Sequence, residues 1–392
     1  MEMYLEPILT AAFIFPFAAA LFTFPYMLLQ YRRYGSVLLL RTVIIYSFIL
    51  YLMAAYFLTM LPLPSIESVA GQTTPYLQLE PFKDVRVWIQ NADVTWSQPS
   101  GWGRLINRDL FVILANICMT IPLGIYLRYY FKCSFLKTLL IALAVSLIFE
   151  LTQLSALFGI YPRPYRLCET DDLITNTLGG IIGFWITKPL LRILPSRERM
   201  DQLSYRHSAR VTFTRRLTAA LVDWLILGAV MLFIMFLIKP LHLTMSSEES
   251  GTMLAELGVL YFALVILYFI VGVWLQKGLT VGKRLTHLRL VDQHSGGRPK
   301  LWQVAVRYSF LYFGFLYLPF ATTQLLFYAF TRDTVVWPLF VLCGLIIIAY
   351  GVLCVWAIVA IMDRKRHFPH SILSKTRNMS TLTLPEETED KE

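Results

Sequence analysis

Glu150 stands inside an apolar run, Thr138 to Phe158, with Gln153 three residues on, and the pair Asp171-Asp172 opens the next apolar run. A carboxylate in the bilayer core finds no water to bond. It costs about 2.5–3.5 kcal/mol on insertion scales, so it faces partners or a cavity. Such a group can bind the polar head of a ligand, or it can move an ion or a proton. At helical spacing Ser146, Glu150 and Gln153 share one face, and Asp172, Asn176, Gly179 and Gly183 share another. Asn116 and Thr120 form a third polar face, and the loop Tyr161-Pro-Arg-Pro-Tyr-Arg166 adds two cations beside the aspartates. Asn116, Glu150, Gln153, Arg163, Arg166, Asp171, Asp172 and Asn176 are therefore expected to converge as a ligand-binding pocket for an amphiphile. Two plainer outcomes compete with this one. Glu150 could pair with Arg166 to lock helices together, and one of the aspartates could be a helix cap.

A second constellation lies in the other half of the chain. Arg216 stands at the start of an apolar run, and Asp223 is two turns deeper on the same face. A lone acid at that depth needs a partner, and Arg216, Lys283 and Arg284 are the candidates. With Asp363, Arg216 and Asp223 make a candidate ion-coupling set, and Glu150 and Asp223 are the buried acids an antiporter would use. No nucleophile–base pair is evident, so an enzyme is the minor reading. The six His show no H-E-x-x-H and the five Cys no C-x-x-C, so neither metal, cofactor nor disulfide framework is expected.

The elements that must position these groups are helices. The chain of 392 residues is 57% hydrophobic and 15% charged, with a mean hydropathy of +0.59, which excludes an ordinary soluble domain. Nine apolar runs are long enough to span a bilayer: 8–30, 37–61, 110–128, 137–158, 172–194, 216–238, 253–275, 303–330 and 335–361. The expected fold is an all-α polytopic membrane protein. Most of the 35 Lys and Arg fall in alternate loops, which orients the chain N-out and C-in. The net charge of +10 is explained by these anchors, and nucleic acid is excluded as a partner. The alternation in Gly282 to Asp292, followed by Ser295-Gly-Gly, predicts a short cytoplasmic β-hairpin. Residues 1–195 read as one membrane domain of five helices, 196–209 as a polar cytoplasmic linker, 210–380 as a second domain of four helices, and 381–392 as a disordered acidic tail.

Several motifs in order resemble the VanZ-like family: Asn116-Ile-Cys-Met-Thr-Ile-Pro-Leu-Gly124, Ser146-Leu-Ile-Phe-Glu-Leu-Thr-Gln153, Tyr161 to Arg166, and Asp171-Asp-Leu-Ile-Thr-Asn-Thr-Leu-Gly-Gly180. Cys168-Glu-Thr170 departs from the aromatic, aspartate and aliphatic residues more usual before the Asp-Asp. The resemblance implies a bacterial plasma-membrane protein linked to low-level resistance to teicoplanin, a lipid-tailed glycopeptide. Besides the bilayer, its implied partner is such an antibiotic or a lipid-linked envelope precursor. The second half, through Thr214-Arg-Arg to Asp223, Gly278 to Leu285, and Asp363 to Thr376, is similar to the RDD family, for which ion antiport has been proposed. Ser371 stands where that family carries an acid.

Overall fold

The computed structural model describes residues 2–73, 75–92, 103–238, 258–330, 337–362 and 368–382. It divides into two compact units. One comprises Met1–Thr23 and Leu38–Leu203, the other Phe24–Val37 and Ser204–Glu392. The fold is helical and polytopic. Among the described residues, eight helices are long and apolar enough to cross a membrane. In the first unit these are α1 (Glu2–Tyr34, whose last part groups with the second unit), α2 (Leu39–Met60), α5 (Arg108–Tyr129) and α6 (Phe135–Leu154). The ninth expected span is the helix α7 (Thr170–Leu190), of similar length but carrying Asp171, Asp172, Asn176 and Lys188.

Helix α7 is held by close backbone approach. A methyl group at Gly179 would collide with the Ile117 carbonyl, one at Gly183 with the Ile121 carbonyl, and one at Gly124 with the Gly180 carbonyl. The G-x-x-x-G spacing thus brings α5 and α7 into backbone contact, which in a bilayer takes the place of hydrophobic driving force. Between α2 and α5 the chain forms α3 (Ile66–Ala70), β1 (Leu77–Gln78) and α4 (Lys83–Ala92). Strand β1 pairs in parallel with β2 (Cys168–Glu169), fastening this segment to the start of α7.

The expected polar linker is instead a helix, α8 (Arg197–Ser208). Its buried positions Met200, Ser204 and Ser208 recur at helical spacing but only one is apolar, so hydropathy hides the period. Asp201 on α8 forms an ion pair with Arg41, which is 1% exposed.

The second unit contains α9 (Phe213–Ile238), α10 (Gly258–Leu275), α11 (Val281–Leu285), β3 (Leu288–Asp292), α12 (Leu301–Phe327), α13 (Trp337–Met362), α14 (Pro369–Leu373) and β4 (Thr376–Ser380). Val265, Phe269, Val273, Leu290, Val304, Tyr308 and Tyr312 form its core. The expected hairpin is corrected here. The turn after β3 exists, since Asp292 accepts the N–H groups of His294 (2.9 Å) and Ser295 (2.8 Å). The chain then enters α12, and β3 pairs antiparallel with β4, Leu288 opposite Ser380 and Asp292 opposite Thr376. A strand's local pattern shows its alternation but not its partner.

Candidate functional site

In the first unit the expected site residues are drawn together, mostly by holding backbone. Asp171 accepts the N–H groups of Phe82 (2.5 Å) and Asp84 (2.7 Å). It therefore caps α4 rather than its own helix, satisfying amides that α4 cannot pair internally. Arg166 donates to the carbonyls of Thr59 (2.8 Å) and Leu61 (2.6 Å), and Gln153 donates to Thr59 as well (3.0 Å). These are carbonyls at the C-terminal end of α2, which the helix leaves open. Arg163 donates to the Gln72 carbonyl. The Glu150–Arg166 pair is not formed. Glu150 accepts the Glu169 N–H at 3.0 Å. Lower in the bundle Asn116 donates to Asp172 (2.5 Å) and Asn176 to Ser146 (3.1 Å), while Thr120 donates to the Asn176 carbonyl (2.7 Å).

One group in this region keeps chemistry to spare. The carboxylates of Asp84, Glu169 and Asp172 bring oxygens within 4.8 Å of one another, a spacing that could hold a divalent cation. Burial, then the Asp84 and Asp172 carboxylates, push Glu169 up to about 7. Burial and the Asp171 charge raise Asp84, and a hydrogen bond joins Asp84 to Glu169. Burial, then the Glu150 charge, push the Cys168 thiol up to about 11, so it is not an activated nucleophile. The residues beside these acids, Lys83 and Arg166-Leu167, line a cavity of about 390 Å³ together with Gln72, Gln78 and Tyr165. Nothing in the sequence links Asp84 to this group. It lies in the segment before α5, and the β1–β2 pairing together with the Asp171 cap on α4 brings it to Glu169.

In the second unit Asp223 does not take the cation expected of it. It accepts Tyr268 Oη (2.7 Å), Thr280 Oγ1 (2.6 Å) and the Gly282 N–H (2.7 Å). These bonds clamp α11 onto α9, and Gly282 allows the approach, since a methyl there would meet the Ala219 carbonyl. The fully buried arginine is Arg215, beside the expected Arg216. It donates to the carbonyls of Thr286 (2.7 Å), Ser208 (2.8 Å) and His287 (2.9 Å) and to Ser380 Oγ (3.2 Å). The adjacent pair Arg215-Arg216 is visible in sequence, but hydropathy does not say which one turns inward. Arg216 stacks over the Phe368 ring at 5.0 Å and lines a cavity of about 170 Å³ with Asp223, Lys283, Arg307 and His370. Asp363 lies outside the described residues. Ser371 Oγ accepts from Arg307 Nη1 at 3.1 Å, giving that cation a neutral partner where the resemblance has an acid.

Residues 48–194 match the VanZ/LLP1 family, and residues 210–375 match the RDD family. No curated protein and no solved structure matches the chain. The chain is a multi-pass bacterial membrane protein in which a VanZ-like domain is followed by an RDD family domain.

Proposed function

We propose that this is a cell-envelope protein whose VanZ-like unit holds the polar head of an amphiphilic, lipid-linked molecule, giving tolerance to lipid-tailed glycopeptides such as teicoplanin. The observation that supports it is one juxtaposition. A cavity of about 390 Å³ carries Lys83 and Arg166 on its wall, and Asp84, the residue after Lys83, gathers with Glu169 and Asp172 in a group of three acids. That volume lies within the usual range for ligand sites, roughly 300–1,000 Å³. The two cations suit a head bearing anionic groups. With the N-out orientation expected from the basic loops, this region would lie at the outer leaflet, where such molecules are met. Ion antiport by Glu150 and Asp223 is the weaker reading, because both carboxylates are engaged by protein donors.

The test is the susceptibility of a deletion strain carrying the wild type, Glu169→Gln or Asp172→Asn, to teicoplanin and to untailed vancomycin. Selective protection against teicoplanin, lost in either variant at equal protein levels, is the expected result. Strains that respond alike to both drugs would end this reading, and ion flux in Asp223→Asn vesicles would be measured next.

A further inference from the structure

We propose that the RDD unit contains a separate binding site for an anionic phospholipid, with the phosphate among Arg216, Lys283 and Arg307 and the acyl chains in an adjoining apolar chamber. The head of the site is the 170 Å³ cavity. Arg307 is only 4% exposed, and its Nη1 donates to Ser371 (3.1 Å) and Thr376 (3.0 Å) hydroxyls. Its Nε and Nη2 have no partner among the described residues. Among the described residues Lys283 Nζ reaches only the Tyr308 hydroxyl and ring. Among the described residues the Arg216 side chain makes one hydrogen bond, a long one from Nε to the Thr212 carbonyl at 3.5 Å.

No ion pair reaches these three cations among the described residues. The single acid in the cavity, Asp223, is already taken by three donors. Buried cations normally sit against counter-charge. The strain of its absence shows in the neighbours. Lys283 is pushed down to about 7 by burial and by Arg307, and His370 is held well below its ordinary value by burial, Arg307, Arg216 and Lys283. An anion would relieve all four groups at once.

The tail follows from what adjoins. A chamber of about 890 Å³ shares Phe213, Leu217, Tyr312, Phe368 and His370 with the cationic cavity. It continues past Trp224 to Met231, about 22 Å along α9 from Arg216. Arg216 lies in the first turn of α9 and Arg307 near the start of α12, so the charge is at the helix ends and the apolar wall runs along the spans. Head at the membrane boundary and chains along the helices is how a phospholipid lies in a leaflet. A soluble anion would leave the chamber unexplained. The site is in the other unit from the proposed envelope pocket and does not rest on that reading.

The experiment uses the full chain, purified and delipidated in a neutral detergent. Binding is read by native mass spectrometry and by thermal shift with dioleoyl phosphatidylglycerol, dioleoyl phosphatidylcholine, dioleoylglycerol and inorganic phosphate. A one-to-one adduct and stabilisation with phosphatidylglycerol alone are expected. Arg216→Gln should weaken binding about tenfold or more, the weight of one charge-assisted contact. Ser371→Asp places an acid beside Arg307 and should abolish the adduct while raising the melting temperature of the lipid-free protein, an outcome a misfolded variant cannot mimic. Equal binding of phosphatidylcholine or dioleoylglycerol would overturn the anionic site. Equal stabilisation by phosphate would overturn the lipid. Undiminished phosphatidylglycerol binding in both variants would overturn the assigned location.

Discussion

Asp171 and Asp172 are adjacent in sequence and have different roles. Asp171 caps a helix from another part of the chain, while Asp172 joins Asp84 and Glu169 in a group of three carboxylates. The group has a measurable signature through Glu169, whose ordinary value of 4.5 is raised to about 7. Between those values the folded chain holds a proton that the unfolded chain has released. This contribution to stability is therefore full below 4.5 and is lost as pH rises through about 7. The first unit should melt at a higher temperature near pH 5 than near pH 8 in detergent, and Glu169→Gln should flatten that difference. Magnesium or calcium added at the higher pH should restore part of the loss if the three carboxylates bind a cation. An unchanged profile in Glu169→Gln would remove Glu169 as the source.

Among elements, the contact of α5 with α7 carries the first unit, because it brings Asn116 and Thr120 against Asp172 and Asn176. It depends on glycines facing carbonyl groups with no room for a side chain. Gly179→Leu should cost about 1–3 kcal/mol or more, since overpacked positions must displace backbone. It should also expose the segment before α5 to protease, because β1 is fastened to the start of α7. Gly228→Leu on α9, where an added side chain meets open space, is the control and should be close to neutral. Comparable losses in both would show that the α5–α7 approach is not special.

For the whole molecule, the division of the chain is not a single cut. Residues 24–37 belong with the second unit, through Tyr31 bonded to Thr214 (2.6 Å), the Arg32 carbonyl bonded to His287 (2.9 Å) and Ser36 bonded to the Ser204 carbonyl (2.6 Å). A fragment beginning at Ser204 should accumulate poorly or melt below the full chain, and one that also retains residues 24–37 on a linker should recover. Equal behaviour of the two fragments would mean that the RDD unit folds without the end of α1.

The sequence by itself determined the membrane class, the helical spans, the two family resemblances and most of the polar residues drawn into the first unit. These properties are local. Twenty apolar residues must span as a helix whatever surrounds them, because the bilayer leaves no other way to satisfy the backbone, and an intramembrane acid stands out against such a run. Partners were decided only by tertiary structure. Asp84 joined Glu169 through a strand pairing and the Asp171 cap, β3 found β4 from beyond two intervening spans, and α8 was a helix whose buried face is largely polar. Arg215 rather than Arg216 turned fully inward, and Asp223 took hydroxyls and an amide in place of a cation. Hydropathy and helical period say which face of an element must leave water or enter lipid. They carry no term for which distant atom will meet it, and hydrogen bonds in a closed bundle are settled by that geometry alone.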